Sequence, residues 1–315
     1  MNSGSPQSAR RGTLYGLGAY VLWGVFPLYF RLLERSTAFE VVLHRVLWSL
    51  VVCALVVAAI RGWGRLREVL ASPRRVLVLG TAAVLLAVNW GVYIYAVNSG
   101  QVVEASLGYF VNPLVTVLLG VVVLRERLRR LQWVAVGIGA VAVLVLTAAY
   151  GRVPLIALSL AVSFGLYGLI KNRVGAGVGA VTSLTTETVV LAVPAAAVLV
   201  WLESTGRGHF TDDAPWQALL LASTGVATVV PLLFFAAAAR RVPLSTMGLL
   251  QYVTPVLQLL CGVLLLGEQM PPARWFGFAL VWVALAVMSA DTLRTASRRR
   301  TAALVHARAA AAGVP

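Results

Sequence analysis

Charged side chains and residues typical of reactive centres are scarce in this sequence. Only 12% of its 315 residues are charged, and it contains two cysteines and three histidines. Cys53 and Cys261 both lie within apolar runs, which argues against a disulfide framework and favours packing roles. His44, His209 and His306 are far apart along the chain, so no metal site is predicted.

Catalytic and signalling signatures are also missing. The sequence contains no H-E-x-x-H, G-x-S-x-G or phosphate-binding loop pattern, and its charged residues are too sparse for an obvious hydrolytic set. No polar segment is long enough to form a soluble output domain. We therefore predict neither an enzymatic activity nor a cofactor, and a membrane-embedded enzyme, sensor or scaffold is a less favoured alternative.

Hydrophobic residues, in contrast, are abundant. They make up 60% of the sequence, and the mean hydropathy is +0.87, well outside the balance of a soluble domain. A helix crosses a bilayer with roughly 20 apolar residues, and ten runs of about this length are separated by short segments with turn residues. The runs cover residues 13–33, 39–60, 76–97, 102–124, 131–149, 153–170, 179–202, 216–239, 243–266 and 275–290. This pattern predicts an all-α membrane protein with ten transmembrane helices.

Positive charge is unevenly distributed among the segments that join these runs. The formal net charge is +15, and most of the arginines fall in alternate connecting segments and in the two tails. Because Lys and Arg accumulate on the cytoplasmic side of membrane proteins, this distribution predicts an even number of helices with both termini in the cytoplasm. The basic excess therefore reports topology and contact with the lipid bilayer, and it does not indicate nucleic-acid binding.

The second half of the sequence repeats the first. Four pairs of non-trivial residues match at one offset of 142 positions: Pro113 with Pro255, Gly120 with Gly262, Glu126 with Glu268, and Trp133 with Trp275. The repeats are expected at residues 13–149 and 150–291, between a cytoplasmic N-terminal tail at 1–12 and a basic cytoplasmic C-terminal tail at 292–315. Since five helices are an odd number, the two copies must enter the membrane from opposite sides. Such inverted repeats are typical of transporters that work by alternating access.

Several motifs in both halves point to one family. They are Trp23-Gly24, the run from His44 to Ser49, Asn89-Trp90, the run from Glu104 to Leu114 (E-A-S-L-G-Y-F-V-N-P-L), Ser163-Phe164-Gly165, Glu187-Thr188 and Gln251-Tyr252. With these motifs, residues 12–293 resemble the RarD branch of the EamA transporter family, within the drug/metabolite transporter superfamily. The resemblance implies ten helices, a bacterial inner-membrane location and transport of a small organic metabolite or drug. A membrane channel is kept as the main alternative function.

Ionisable residues inside apolar runs are costly and therefore point to a cavity, a pathway or a buried pair. Arg45 and Glu187 occupy equivalent repeat positions, 142 residues apart, with opposite charges. They are predicted either to pair directly or to mark separate ends of one solvated cavity, and the cavity is favoured. His44 could carry protons because an imidazole changes charge near neutral pH, or it could be a hydrogen-bonded packing residue. Coupling to a proton or to a counter-solute is left open.

Polar and aromatic residues near the predicted cavity complete the candidate substrate-binding set. Pro113 and Pro255 are predicted to kink the fourth and ninth helices beside this cavity, because proline removes a backbone hydrogen bond. The candidate residues near the prolines are Asn112, Gln251, Tyr252 and Thr254, and the others are Trp23, Tyr29, Asn89, Trp90, Tyr93, Tyr109 and Tyr167. The alternative role of the residues near the prolines is hydrogen bonding between helices. The alternative for the aromatic residues is a position at the membrane interface. Glu126 and Glu268 are predicted to be structural caps or loop anchors.

The topology gives a direct experimental expectation. Reporter tags at Met1, Glu68 and Arg300 should all report the cytoplasm, and a tag near Gly208 should report the opposite side. Fusions to a pair of reporters that are active on opposite sides of the membrane measure this in intact cells. Any tag found on the other side contradicts the arrangement of ten helices in two inverted repeats.

Overall fold

The protein is described from a computed structural model that covers residues 6–125, 127–174, 178–208, 210 and 215–311. The regular secondary structure of these residues is helical throughout. The helices are α1 (Pro6–Gly24), α2 (Phe26–Arg31), α3 (Ala38–Ala59), α4 (Trp63–Leu70), α5 (Pro73–Asn98), α6 (Val102–Leu124), α7 (Arg130–Tyr150), α8 (Leu155–Val174), α9 (Ala180–Ser204), α10 (Pro215–Ala239), α11 (Leu244–Leu250), α12 (Val253–Leu260) and α13 (Pro272–Ala311), and a π-helical turn at Cys261–Leu265 follows α12.

The predicted apolar runs fall on these helices. Nine helical segments within the described residues are long and apolar enough to cross a membrane. The remaining run, sixth in chain order, is the apolar part of α8, Leu155–Lys171, which is shorter than the other nine. The prediction of an all-helical membrane protein is therefore confirmed, and its sixth span is a short one.

The first span is interrupted beside Pro27, whose backbone nitrogen carries no hydrogen to donate. Val25 leaves the helical conformation between α1 and α2, and Pro27 lies in the first turn of α2. Without an N–H on Pro27, the carbonyl of Trp23 has no partner four residues later. The side chain of Gln258 on α12 donates to this carbonyl from its Nε2 at 3.2 Å. A side chain from another helix therefore replaces the missing backbone bond.

The ninth span is also interrupted, immediately before its proline. It consists of α11, a turn at Gln251 and Tyr252, α12 and then the π-helical turn. Pro255 lies in the first turn of α12, whereas α6 runs unbroken from Val102 to Leu124 with Pro113 inside it. The two prolines are equivalent in sequence, but the helices around them differ in continuity.

Two glutamates accept hydrogen bonds from the beginnings of other helices. The carboxylate of Glu268 accepts from the N–H groups of Val102 at 2.5 Å and Val103 at 2.9 Å, where α6 begins. Glu104 accepts from the N–H of Ile156 at the beginning of α8, at 3.0 Å. These N–H groups have no partner within their own helix, so the predicted anchoring role is confirmed for Glu268. Glu126, for which the same role was predicted, lies outside the described residues.

The chain divides into two compact units. Unit 1 comprises residues 1–119 and 154–270, and unit 2 comprises residues 120–153 and 271–315. In unit 2, α7 packs along α13, with an ion pair between Arg129 and Asp291 at 2.6 Å. In unit 1, α3 packs against both α9 and α10, and α5 packs against α8.

Within unit 1, α3 and α9 run antiparallel. Leu43 and Val46, near the beginning of α3, share a buried cluster with Leu199 of α9. Cys53, further along α3, shares another buried cluster with Leu184, which comes earlier in α9. The residue order along the two helices is therefore opposed.

The close approach of α6 to α8 depends on Gly108. A Cβ at this position would lie 2.7 Å from the carbonyl oxygen of Ala157, and backbone atoms cannot move aside as a side chain can. We expect Gly108→Ala to lower the stability by about 1–3 kcal/mol, the usual cost of overpacking, measured by thermal unfolding of the purified protein in detergent. Gly137→Ala is the matched control, because a Cβ at Gly137 would meet no atom within 4 Å. An unchanged melting temperature for Gly108→Ala would show that this contact is not tight.

Candidate functional site

Arg45 of α3 is buried in the membrane-spanning part of unit 1. Its residue exposure is 4%, and its Nε donates a hydrogen bond to the hydroxyl of Thr228 on α10 at 2.7 Å. Among the residues that the structure describes, no carboxylate forms an ion pair with it. An arginine does not lose its proton in a protein, so a full positive charge is held here without a described counter-charge.

Aromatic rings surround this guanidinium group. Its central carbon lies 4.0 Å from the ring centroid of Trp90, 5.4 Å from that of Phe30 and 5.7 Å from that of Phe26. The π-electrons of these rings attract a cation, and the attraction strengthens where water is excluded. The rings therefore offset part of the cost of burying the charge, and they leave its terminal N–H groups available.

Tyrosines extend the same aromatic region. Tyr29 donates its hydroxyl to the carbonyl of Leu220 at 3.0 Å and also contacts the hydroxyl of Ser223 at 2.7 Å. Tyr93 and Tyr109 have ring centroids 5.8 Å apart. The buried hydroxyl of Tyr93 has no hydrogen-bond partner among the described residues. A polar handle inside an otherwise apolar region is thus available in addition to the arginine.

Asn89 joins three helices. Its Nδ2 donates to the carbonyl of Leu160 at 3.1 Å and to the hydroxyl of Ser163 at 3.0 Å, both on α8. Its Oδ1 accepts from the hydroxyl of Tyr109 on α6 at 3.2 Å. This amide is used for bonding between helices, which was the alternative to substrate binding.

Glu187 of α9 is buried, with 2% exposure, and belongs to a second polar cluster. Its Oε1 lies 2.5 Å from the ammonium group of Lys171 on α8 and accepts from the hydroxyl of Ser183 at 2.9 Å. Its Oε2 accepts from the hydroxyl of Tyr167 at 3.3 Å. A direct pair between Glu187 and Arg45, one of the two predicted alternatives, is not formed.

The partner of Glu187, Lys171, was not among the residues predicted from the sequence to form the site. Lys171 is the only lysine in the sequence, and it stands four residues after Tyr167. Ser183 stands four residues before Glu187. Residues four apart share one helix face, so these two spacings are the signal that could have identified the cluster.

Trp90 connects the two polar clusters. It lies against the guanidinium of Arg45, and it also lines a cavity whose wall includes Glu187. Leu86 and Leu184 are part of the apolar lining of the same cavity. The cavity offers about 10 Å³ to water, roughly the room for one molecule. In this conformation the space between the clusters is therefore almost closed.

Other candidates from the sequence form a third group, near the interrupted first and ninth spans. Trp23 packs edge-on to Tyr20, with ring centroids 5.6 Å apart, and Thr254 donates to the carbonyl of Tyr20 at 2.8 Å. Gln251 and Tyr252 are half-buried at the turn between α11 and α12. Thr254 thus bonds between helices.

Asn112, another predicted candidate, lies on α6. Its side chain accepts a hydrogen bond from Thr116 one turn later, at 3.4 Å.

His44 stands next to Arg45 but belongs to different surroundings. Its ring stacks on Phe210 with centroids 4.8 Å apart, and its residue exposure is 5%. Its Nε2 is buried and has no hydrogen-bond partner among the described residues. Packing therefore gives the face of the ring a neighbour, but it provides no hydrogen-bond partner for Nε2.

Comparison with known proteins identifies the class. The sequence profile of the EamA-like transporter family matches residues 10–148 and, separately, residues 152–290. The chain belongs to this family, and it is a multi-pass membrane transporter.

Its relatives are more specific. Protein RarD of Streptomyces exfoliatus is 54% identical over 291 residues, which cover 92% of each chain. Protein RarD of Escherichia coli strain K12 is 40% identical, covering 94% of this chain and 98% of its own. A solved crystal structure with 21% sequence identity matches 90% of this chain and 98% of its own, with a TM-score of 0.59. At this identity the match shows a similar fold only. The predicted likeness to the RarD branch is confirmed.

The ion pair between Lys171 and Glu187 can be tested by a double-mutant cycle. Removing either partner leaves a charge in a buried site, so Lys171→Met and Glu187→Gln should each lower the stability by about 2–4 kcal/mol. The combined variant should recover part of this loss, because no unpaired charge is left. Thermal unfolding in detergent measures both effects. Glu34→Gln is the matched control, since Glu34 pairs with Arg31 on the surface and exposed pairs contribute little. Strictly additive losses would mean that the pair is not coupled.

Proposed function

We propose that this protein is a secondary transporter that moves a small organic solute across the bacterial inner membrane by alternating access. The observation that carries the proposal is the hydrogen-bonding state of Arg45. A guanidinium has five N–H donors, and only the one on Nε has an acceptor among the described residues. The four donors on Nη1 and Nη2 lie in a buried aromatic region within membrane-spanning helices. They are suited to an acceptor supplied by a solute or by water.

This arrangement favours a class of solute. Planar guanidinium groups bind carboxylates and similar groups with two parallel hydrogen bonds. The rings of Trp90, Phe30 and Phe26 offer flat apolar surface beside these donors. We therefore infer a solute that combines an anionic or acceptor-rich group with an apolar or aromatic body.

Trp90 is proposed as the movable partition of the pathway. It contacts Arg45 on one side and lines the nearly closed cavity of Glu187 on the other. A change in its rotamer would join the two regions into one larger space. Arg45 and Glu187 would then serve separate ends of one pathway, in keeping with the cavity alternative from the sequence.

The repeat equivalence supports two inverted halves. Residues 38–59 of α3 correspond, at the offset of 142, to residues 180–201 of α9, and these two helices pack antiparallel. A Cβ on Gly24 would meet Leu257 at 2.7 Å, and a Cβ on Gly165 would meet Leu119 at 3.0 Å and Val115 at 3.5 Å. Gly24 and Gly165 are repeat counterparts at an offset of 141, and Val115 and Leu257 are counterparts at the offset of 142. Equivalent glycines thus face equivalent neighbours, which is expected of two copies that pack on each other in a symmetric way. An even number of spans would put both termini on one side of the membrane, and the distribution of arginines favours the cytoplasm.

The cluster of Lys171 and Glu187 is proposed as the coupling element. Protonation of the Glu187 carboxylate would remove the attraction that holds Lys171 of α8 against α9. A counter-solute with an anionic group would compete for the same ammonium group. Either event would release α8 from α9, and the choice between them is open to measurement in proteoliposomes. Saturable counterflow there also separates a carrier from a channel.

The central test is a ligand-stabilisation screen on the purified protein, using amino acids, nucleobases and amphenicol-type drugs. A compound that raises the melting temperature of the wild type should bind Arg45→Gln at least about thirtyfold more weakly, since losing the partner of a buried charge costs about 2 kcal/mol or more. Counterflow of that compound in proteoliposomes should fall in parallel.

The matched control for this test is Arg31→Gln. Arg31 is an exposed arginine in a surface ion pair with Glu34, and its variant should keep both binding and counterflow. Full binding and transport by Arg45→Gln would remove Arg45 from the pathway and would overturn the proposal.

A further inference from the structure

Three potential metal ligands come together at the end of unit 1 where α3 begins and α9 ends. Glu40 and His44 belong to α3, and Glu203 belongs to the last turn of α9. One ligand atom from each of the three residues lies within 4.8 Å of the other two. This group was not predicted, because the histidines are scattered along the chain and the two glutamates are 163 positions apart. We propose that Glu40, His44 and Glu203 bind a divalent transition-metal cation such as Zn²⁺.

The spacing of the atoms fits a single ion. Zinc binds carboxylate oxygens and imidazole nitrogens at about 2.0–2.2 Å, so neighbouring ligands of a tetrahedral ion are about 3.3–3.6 Å apart. The three ligand atoms lie within 4.8 Å of one another, so binding one ion requires them to approach by about 1 Å. Glu40 and His44 are four residues apart, which places both on one face of α3. Small side-chain rotations are enough to bring the three ligands onto one centre.

Burial supplies the second argument. Glu40 is 1% exposed, His44 is 5% exposed, and Glu203 is half-buried. Two carboxylates held this close repel each other in a medium of low dielectric constant. The C-terminal end of α9 adds partial negative charge beside Glu203. A divalent cation lowers the electrostatic energy of all these groups together.

The imidazole supplies the third argument. One ring nitrogen of His44 is within reach of both carboxylates, and its Nε2 is buried without a hydrogen-bond partner among the described residues. Metal-ligating histidines use one nitrogen for the metal, and the other takes part in a supporting contact. The stacking of the ring on Phe210 holds its plane in place. The site therefore combines a preoriented nitrogen ligand with two oxygen ligands, a set that suits Zn²⁺ and similar ions.

Bound metal would join the ends of α3 and α9 directly. Because His44 precedes Arg45, a cation here restrains the part of α3 that carries the proposed solute-binding arginine. We expect Zn²⁺ to raise the melting temperature of the protein. The site does not depend on the proposed transport function, and metal binding is measured without any solute.

The test measures Zn²⁺ bound to the full chain, purified in detergent with its affinity tag removed and then freed of metal with a chelator. Equilibrium dialysis should give one Zn²⁺ per chain, and Co²⁺ should give the d–d absorption bands of a site with nitrogen and oxygen ligands. Glu40→Gln, His44→Gln and Glu203→Gln should each raise the Kd for Zn²⁺ at least about tenfold and should abolish the rise in melting temperature. Glu40→Gln is informative because glutamine keeps the capping position behind Thr37 and removes only the charge.

Two glutamates outside the cluster provide the control variants. Glu34→Gln and Glu68→Gln change carboxylates outside the cluster and should bind Zn²⁺ like the wild type. Size-exclusion chromatography shows whether each variant is folded, and Glu203→Gln, the least buried change, tests the site if a variant at Glu40 or His44 fails to fold. Absence of bound Zn²⁺ in the wild type, or unchanged affinity in the folded ligand variants, would overturn the proposal.

Discussion

A lipid-embedded backbone must satisfy its hydrogen bonds without help from water, and most features of this fold follow from that constraint. An unpaired carbonyl or N–H in hydrocarbon costs several kcal/mol. Two backbone positions that their own helices leave unpaired are bonded by side chains from elsewhere in the fold. Gln258 serves the carbonyl of Trp23 beside Pro27, and the carboxylate of Glu268 serves the start of α6. In both cases a residue elsewhere in unit 1 supplies the bond that the helix itself cannot make.

The same constraint explains how much of the fold could be predicted. Hydropathy located the spans because each must be apolar over its full length, and only the sixth was shorter than expected. The interruption between α1 and α2 was not predicted, although Pro27 was visible, because an apolar run looks alike whether its helix is continuous or broken. The difference between the surroundings of Pro113 and Pro255 could not be foreseen either. The two prolines match in sequence, and only their tertiary neighbours differ.

For the candidate site, the sequence identified charged residues better than their partners. Arg45 and Glu187 were recognisable because a charge within an apolar run is rare and costly. Thr228 and Phe30, which contact the guanidinium, were not, because a threonine or phenylalanine in such a run carries no signal of its own. The histidine was singled out, but its two carboxylate neighbours were not. Glu40 and Glu203 stand at opposite ends of their helices, and only antiparallel packing of α3 on α9 brings them together.

The single lysine of the chain has a practical consequence. Amine-reactive acylating reagents can modify only the ε-amine of Lys171 and the chain's N-terminal amine. The ε-amine is engaged by Glu187 and Ser183. An ammonium group must lose a proton before it can be acylated, and the ion pair with Glu187 opposes that loss. Mass spectrometry of the intact protein can therefore count the acyl groups added over time. The rate of acylation at Lys171 then reports how often its contact with Glu187 opens. The chain carries its own reporter of separation between α8 and α9, and no engineered label is needed.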